Sequence, residues 1–304
     1  MDNILIIGTV AFDTIETPFG KVEKALGGSA TYAAFAASFF SNPAIISVVG
    51  NDFPKDYIEL LKKRNIGIDG IKITGKTFHW DGFYEYDMNE AKTRKTELNS
   101  LKNFKVEVPQ KYKGINHVFL ANIDPEQQLE TLKQMNNPKF VVLDTMNFWI
   151  NSKRKHLIEA IKKANVLLLN DGEARQLFST VNLVKAANEA LSLGPEAVII
   201  KKGEHGALLF TKNEQNEFRH FNAPGYPLEN IKDPTGCGDC FGGAFIGYLS
   251  KTNDLSEKNF RKAIIYGSIV ASYNAEDFGL NRLKSLTMSD IEKRYKEFED
   301  IREF

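Results

Sequence analysis

Short runs of apolar and β-branched residues alternate along this chain with longer stretches in which apolar side chains recur every three or four positions. The runs Ile4–Ile7, Ala44–Val49, His117–Ala121, Phe140–Asp144, Val166–Leu169, Ala197–Lys201 and Ala207–Phe210 predict strands. Between them, Ser29–Phe40, Pro54–Arg64, Pro125–Met135, Lys153–Lys163 and Val181–Leu193 predict helices; in the last of these, Val184, Ala187 and Leu191 mark one buried face. Beyond Asp239 the pattern is almost wholly helical and ends in a stripe of Met288, Ile291, Tyr295 and Phe298. Strands that are apolar on both faces and separated by helices need cover on both sides. They predict a three-layer α/β/α domain spanning residues 1–304 around a mainly parallel sheet. Right-handed crossovers then gather the strand C-terminal ends, and any ligand, along one edge.

One region departs from that rhythm. Across Thr74–Asn89 the period falls to two: Phe78, Trp80, Tyr84 and Tyr86 alternate with His79, Asp81, Glu85 and Asp87. This predicts antiparallel sheet with one wet face, which with Asp13–Lys24 makes a small β lid (segments about 13–24 and 72–104). Two uses of the aromatic stripe stay open, cover by the domain or a partner subunit and stacking on a substrate. A homodimer through the lid is an expectation that follows.

Composition narrows the field. The 304 residues carry a formal net charge of zero, so no bulk attraction to nucleic acid or anionic membrane is expected. The longest strongly apolar run, Ala30 to Phe40, is far shorter than the roughly 20 residues of a spanning helix. Met1-Asp2 offers no basic leader, and the only two cysteines, Cys237 and Cys240, lie in one glycine-rich segment, so a reduced, cytoplasmic protein is expected. Cys237-Gly-Asp-Cys240 has C-x-x-C spacing but no second ligand pair, and the five histidines are scattered. A thiol at a helix start is expected to be acidified.

The chemistry concentrates in Asp233-Pro-Thr-Gly-Cys-Gly-Asp-Cys-Phe-Gly-Gly-Ala244. Pro234 forces a turn, and Gly236 and Gly238 let successive N–H groups converge into an anion nest at the start of a helix near Gly238. The helix dipole favours a phosphate there. Asp239 sits inside that nest, where a carboxylate is unfavourable unless it takes up a proton. Phosphoryl transfer to a hydroxyl follows, with Asp239 as base and the N–H groups of Gly236, Cys237 and Gly238 as anion hole.

Asp-x-Thr-Gly-x-Gly-Asp-x-Phe resembles the C-terminal signature of the ribokinase-like (PfkB) sugar kinase family, and residues 8–33 resemble its N-terminal signature. The resemblance implies Asp13 as a substrate-binding acid and Gly27-Gly28 as the backbone approach to the substrate. The family's usual Asn in the following helix is Tyr32 here, which is expected among the substrate-binding residues with one hydroxyl and a large ring in place of the amide. It further implies that Asn170-Asp-Gly-Glu173 serves the nucleotide, Glu173 organising Mg²⁺ through water, and that the Lys201–Gly206 turn, with Lys201, Gly203 and Gly206, lies near ATP. Asn274 would line the adenine pocket, and Asp233 and Thr235 would hold a monovalent cation such as K⁺. Asp144-Thr-Met-Asn147 admits both a phosphate or substrate contact and a plain strand-end turn. The expected activity is ATP-dependent phosphorylation of a sugar-like alcohol. A nucleoside kinase is the first alternative and a non-catalytic nucleotide- or sugar-binding regulator the second.

Overall fold

The computed structural model describes residues 3–212, 215 and 217–301, so the Met1-Asp2 start lies outside the described residues. Thirteen strands follow in chain order: β1 Ile4–Ile7, β2 Ala11–Thr17, β3 Gly20–Gly27, β4 Pro43–Val49, β5 Gly67–Ile73, β6 Phe78–Phe83, β7 Lys92–Glu97, β8 His117–Leu120, β9 Phe140–Leu143, β10 Val166–Asn170, β11 Ala197–Lys201, β12 Ala207–Lys212 and β13 Phe218–Ala223. The helices are α1 Ser29–Ala37, α2 Lys55–Lys63, α3 Pro125–Gln134, α4 Asn147–Ser152, α5 Arg154–Ile161, α6 Asp171–Phe178, α7 Leu183–Ser192, α8 Cys237–Thr252, α9 Glu257–Asn274, α10 Asn281–Ser285 and α11 Met288–Ile301.

Nine strands form the main sheet in the order β13-β12-β11-β10-β9-β8-β1-β4-β5. Pairing is parallel from β11 to β5, while β12 and β13 extend the sheet antiparallel. Alternate residues of the inner strands feed two separate cores. Ile4 and Ile6 face α1, α8 and α9, whereas Leu5 and Ile7 face the layer that holds Leu157, Leu177 and Leu191. This is the three-layer architecture that the two-faced apolar strands require. Among the described residues, no helix is long and apolar enough to cross a membrane.

Two helices set the geometry of the functional edge. All nine residues of α1 are buried, as expected of a helix apolar on every side. It packs on α8 so closely that a β-carbon at Gly243 would sit 2.1 Å from the Ala33 carbonyl oxygen. Only glycine permits that approach, and it brings the N-termini of α1 and α8 side by side over the ends of the parallel strands.

The second sheet, β3-β2-β6-β7, corrects the expectation of a purely antiparallel lid. β6 runs antiparallel to β7 but parallel to β2, and it ends at Phe83, so Tyr86 is not on its stripe. Neither face of β6 is dry either; Phe78, Trp80, His79 and Asp81 are all half-buried. The difference arises because β2 is the chain's direct continuation of β1 and offers β6 the same direction.

Candidate active site

The site lies where β1, β9, β10 and β11 end and β2, α1 and α8 begin. Gly236, the N-cap of α8, has φ of 76°, a conformation open to glycine and costly for other residues. A β-carbon there would also sit 2.4 Å from Tyr32 Cγ, because the Tyr32 ring lies flat beneath the turn. Thr235, just before it, is held on three sides. Its N–H donates to Asp233 Oδ1 (2.9 Å), its carbonyl accepts from Asn274 Nδ2 (2.8 Å), and its hydroxyl donates to the Tyr84 hydroxyl (3.3 Å). The turn is thus restrained from three sides, two of them in the main body and one in the segment after β6.

Of the three expected anion-hole donors, the Cys237 N–H is already engaged, donating to the Pro234 carbonyl at 3.1 Å. Gly236 and Gly238 carry the remaining N–H groups. The Cys237 thiol also departs from expectation. Half-buried, it lies against the Ala271 carbonyl and Asn274, and desolvation pushes it up to about 12 rather than acidifying it.

Asp239, on the first turn of α8, is half-buried. Burial pushes its carboxyl up to about 7; Asp144 and Asp13 raise it further and Lys201 opposes them. Lys201 Nζ donates to Asp144 Oδ2 at 2.8 Å, with both side chains largely out of solvent. Burial works against the Lys201 charge, but Asp144 and Glu173 outweigh it and leave the ammonium above its ordinary value. Glu173 is buried and pushed up to about 8, by burial first and by Asp144, while Lys201 pulls it back. Together Asp239, Asp144, Glu173 and Lys201 form one coupled cluster beside the turn.

Asn170 and Glu173 form a reciprocal capping box at the start of α6. Asn170 Oδ1 accepts from the Glu173 N–H and Glu173 Oε2 from the Asn170 N–H, both at 2.7 Å. Helix capping and a place in the cluster thus coexist in Glu173. On the other side, Asp13 is 4% exposed and its Oδ2 accepts from the Gly28 N–H at 3.2 Å. Burial pushes it up to about 7, the Gly28 bond lowers it and Asp233 raises it. Gly27 lies against the same carboxylate, since a β-carbon there would meet Asp13 Oδ2.

Several expected residues are engaged within the protein itself. Asn274 does not line an open pocket; it is fully buried and braces Thr235 from below. Tyr32, expected to offer its hydroxyl to a substrate, is 1% exposed and spends its ring on supporting Gly236. Its hydroxyl has no hydrogen-bond partner among the described residues. Gly203 and Gly206 sit in the turn from β11 to β12, which the Ala223 carbonyl braces at Gly206 and Asn89 at Gly203. Asp233 is buried, with Oδ1 and Oδ2 accepting from the Thr235 and Gly279 N–H groups, each at 2.9 Å. The residue that the sequence left most open is Asp144. Its ion pair with Lys201 depends on β9 and β11 flanking β10, which local sequence does not announce.

The raised pKa of Asp239 has a consequence for stability. An unfolded carboxylate titrates near pH 4, so between about pH 4 and 7 the folded chain holds a proton that the unfolded chain has lost. The stability contributed this way is complete below pH 4 and lost as pH rises through 7. Asp239→Asn removes the ionisable group, so its Tm should exceed that of the wild type by a few degrees at pH 8 and by much less at pH 5. Paired thermal melts at the two pH values check this, and an equal shift at both would contradict it.

A glycine turn at a helix start beside a buried acid–lysine cluster suits phosphoryl transfer to an alcohol. The pfkB family of carbohydrate kinases matches residues 1–285, and the chain belongs to it. It is similar to a cytidine kinase of Thermococcus kodakarensis, with 28% identity over 262 residues covering 84% of this chain and 92% of that one. A nucleoside kinase of Methanocaldococcus jannaschii is 26% identical over 306 residues, 92% of each chain. The crystal structure of a Methanocaldococcus jannaschii nucleoside kinase of the ribokinase family superimposes with a TM-score of 0.77, at 21% identity over 98% of this chain and 99% of that one.

Proposed function

We propose that this chain transfers the γ-phosphate of ATP to a hydroxyl of a nucleoside, with Asp239 as general base. The observation that supports this most is the placement of Asp239. It stands on the first turn of α8, beside the Gly236–Gly238 turn and within electrostatic reach of Asp144, Lys201 and Asp13. A carboxyl near pH 7 is well matched to removing the acceptor's proton as the phosphoryl group arrives. The N–H groups of Gly236 and Gly238 stabilise the charge on the transferred group. Asp13 and the Gly28 backbone orient the acceptor, and Lys201 meets the phosphates. The small sheet, as a lid, would exclude water, the competing acceptor.

The residues fit Mg·ATP: Glu173, whose carboxyl burial and Asp144 push up, gains from a nearby cation, and Lys201, paired with Asp144, lies within its electrostatic reach. Magnesium supplies neutralisation of phosphate charge when it is bound. Asp233 with Thr235 fits a monovalent cation such as K⁺, because its carboxylate is buried among N–H donors and has no ion-pair partner among the described residues.

A nucleoside is favoured over a bare sugar by the loop after β9. Met146 and Phe148 are 38% and 54% exposed there, an apolar and aromatic surface beside the site. Asn122 fixes that loop, donating from Nδ2 to Met146 Sδ (3.1 Å) and accepting from Trp149 Nε1 at Oδ1 (2.9 Å). The Asn122 carbonyl in turn accepts from the hydroxyl of Ser29, the neighbour of Gly28. A planar base finds a surface there and a sugar alone does not. The names of the two relatives agree with this choice. ADP release with Mg·ATP, measured across cytidine, adenosine, guanosine, inosine, ribose, fructose and their monophosphates, tests the assignment. Stimulation by a nucleoside is expected. Stimulation by sugars alone would return the acceptor to that class, and ATP binding with no stimulated turnover would make the chain a non-catalytic regulator.

A further inference from the structure

The segment that leaves β6 touches both halves of the site. Tyr84 follows that strand directly, and its N–H donates to the Glu16 carbonyl of β2 at 2.9 Å, in the strand that carries Asp13. Its ring is 9% exposed, and its hydroxyl accepts from the Thr235 hydroxyl at 3.3 Å. Thr235 immediately precedes Gly236. Five residues past Tyr84, Asn89 lies against Gly203, where a β-carbon would sit 1.8 Å from Asn89 Oδ1. The loop between β6 and β7 therefore runs from the anion-binding turn to the turn between β11 and β12. Its two ends are seated by one side chain each.

We infer that Tyr84 is a positioning residue that ties the seating of the small sheet to the geometry of the Gly236–Gly238 turn, so that the turn is fully formed only when the sheet is in place. This rests on the proposed role of that turn in receiving the phosphoryl group. Of the three bonds that fix Thr235, those from Asp233 and Asn274 come from the main body, and the bond to Tyr84 alone comes from the small sheet. When the sheet is displaced, the Thr235 hydroxyl loses that acceptor, and the turn is restrained on two sides instead of three. A sheet seated by bound acceptor then favours transfer, and an unseated one disfavours it. A neutral hydrogen bond of this kind carries about a 2- to 10-fold preference.

Tyr84→Phe keeps the ring and removes the hydroxyl. With the preferred acceptor, kcat should fall about 3- to 10-fold while the KM for ATP changes less than about twofold. Thr235→Val should do the same, and the double variant should be no worse than the worse single one, since both remove the same bond. Wild-type kcat in Tyr84→Phe, or losses that multiply in the double variant, would overturn the inference. A second measurement needs no turnover. In the ligand-free protein, amide hydrogen exchange at residues 235–239 should be faster in Tyr84→Phe than in the wild type, with the Tm shifted by less than about 2 °C. Unchanged exchange there would overturn the coupling even if the kinase assignment held. Faster exchange in a chain that phosphorylates nothing would uphold the coupling and reject the kinase assignment.

Discussion

Replacing Asp239 by Asn is expected to lower kcat by about 10²–10⁴-fold, the range associated with loss of a general base. The amide keeps the size of the carboxylate and disturbs little packing, because among the described residues no side-chain hydrogen bond of Asp239 holds the first turn of α8 together. What it cannot do is accept the acceptor's proton. ATP affinity should stay within a few-fold of the wild type, or rise, since a carboxyl that repels phosphate when ionised is gone. Steady-state rates with the best acceptor, alongside a binding measurement for ATP, check both parts. Near-normal turnover would remove Asp239 from the mechanism. Loss of ATP binding in step with turnover would make it a structural residue instead.

Gly236→Ala should cost about 10²–10³-fold in kcat, comparable to deleting an oxyanion-hole donor. Two independent obstacles meet at this position. The backbone has φ of 76°, which alanine adopts only with strain, and the new methyl would sit 2.4 Å from Tyr32 Cγ. Tyr32 cannot step aside, being enclosed at 1% exposure, so the turn itself must move and its N–H groups lose their aim. Gly238→Ala is the informative contrast. Its methyl would meet only the tip of the Lys201 side chain, at 3.1 Å, and that flexible end can shift. A smaller loss is expected there, and kcat values for the two variants measured together distinguish local crowding from a general intolerance of alanine in the segment. Equal losses would contradict the account of Gly236.

The inner strands of the main sheet were legible because they are buried on both faces, whereas the edge strands β5 and β13 are partly exposed and no apolar run announced them. β1, β4 and β8 to β12 all coincide with apolar runs, and such runs have few other uses in a chain of this length. The small sheet was legible only in part. β7 reads Lys-Thr-Arg-Lys-Thr-Glu and is exposed almost throughout, so no hydrophobic period betrays it; its position at the sheet edge follows from pairing with β6. The direction of β6 was hidden for a similar reason, since alternation reports a strand but not its neighbour. At the site, short-range chemistry was readable: the glycine turn, the helix start and Asp239 lie within a few residues of one another. Tyr32, Asn274 and Tyr84 were not readable in the same way. Tyr32 and Tyr84 act on the 235–236 turn from more than a hundred residues away and Asn274 from the far end of the next helix, and side-chain identity alone does not say whether a tyrosine faces a ligand or props up a loop. Asp144 belongs to the same group, because its lysine partner comes from a strand two places away in the sheet.

The most direct measurement is the pH dependence of kcat/KM for the acceptor, from pH 5 to 9 at saturating Mg·ATP. A base must be ionised to act, and burial holds Asp239 at about 7, so protonation silences it on the acid side. The account predicts a rate that climbs tenfold per pH unit below about 7 and levels above it. A profile that is flat from pH 5 upward, with the protein folded throughout, would contradict the assignment of Asp239 as the base.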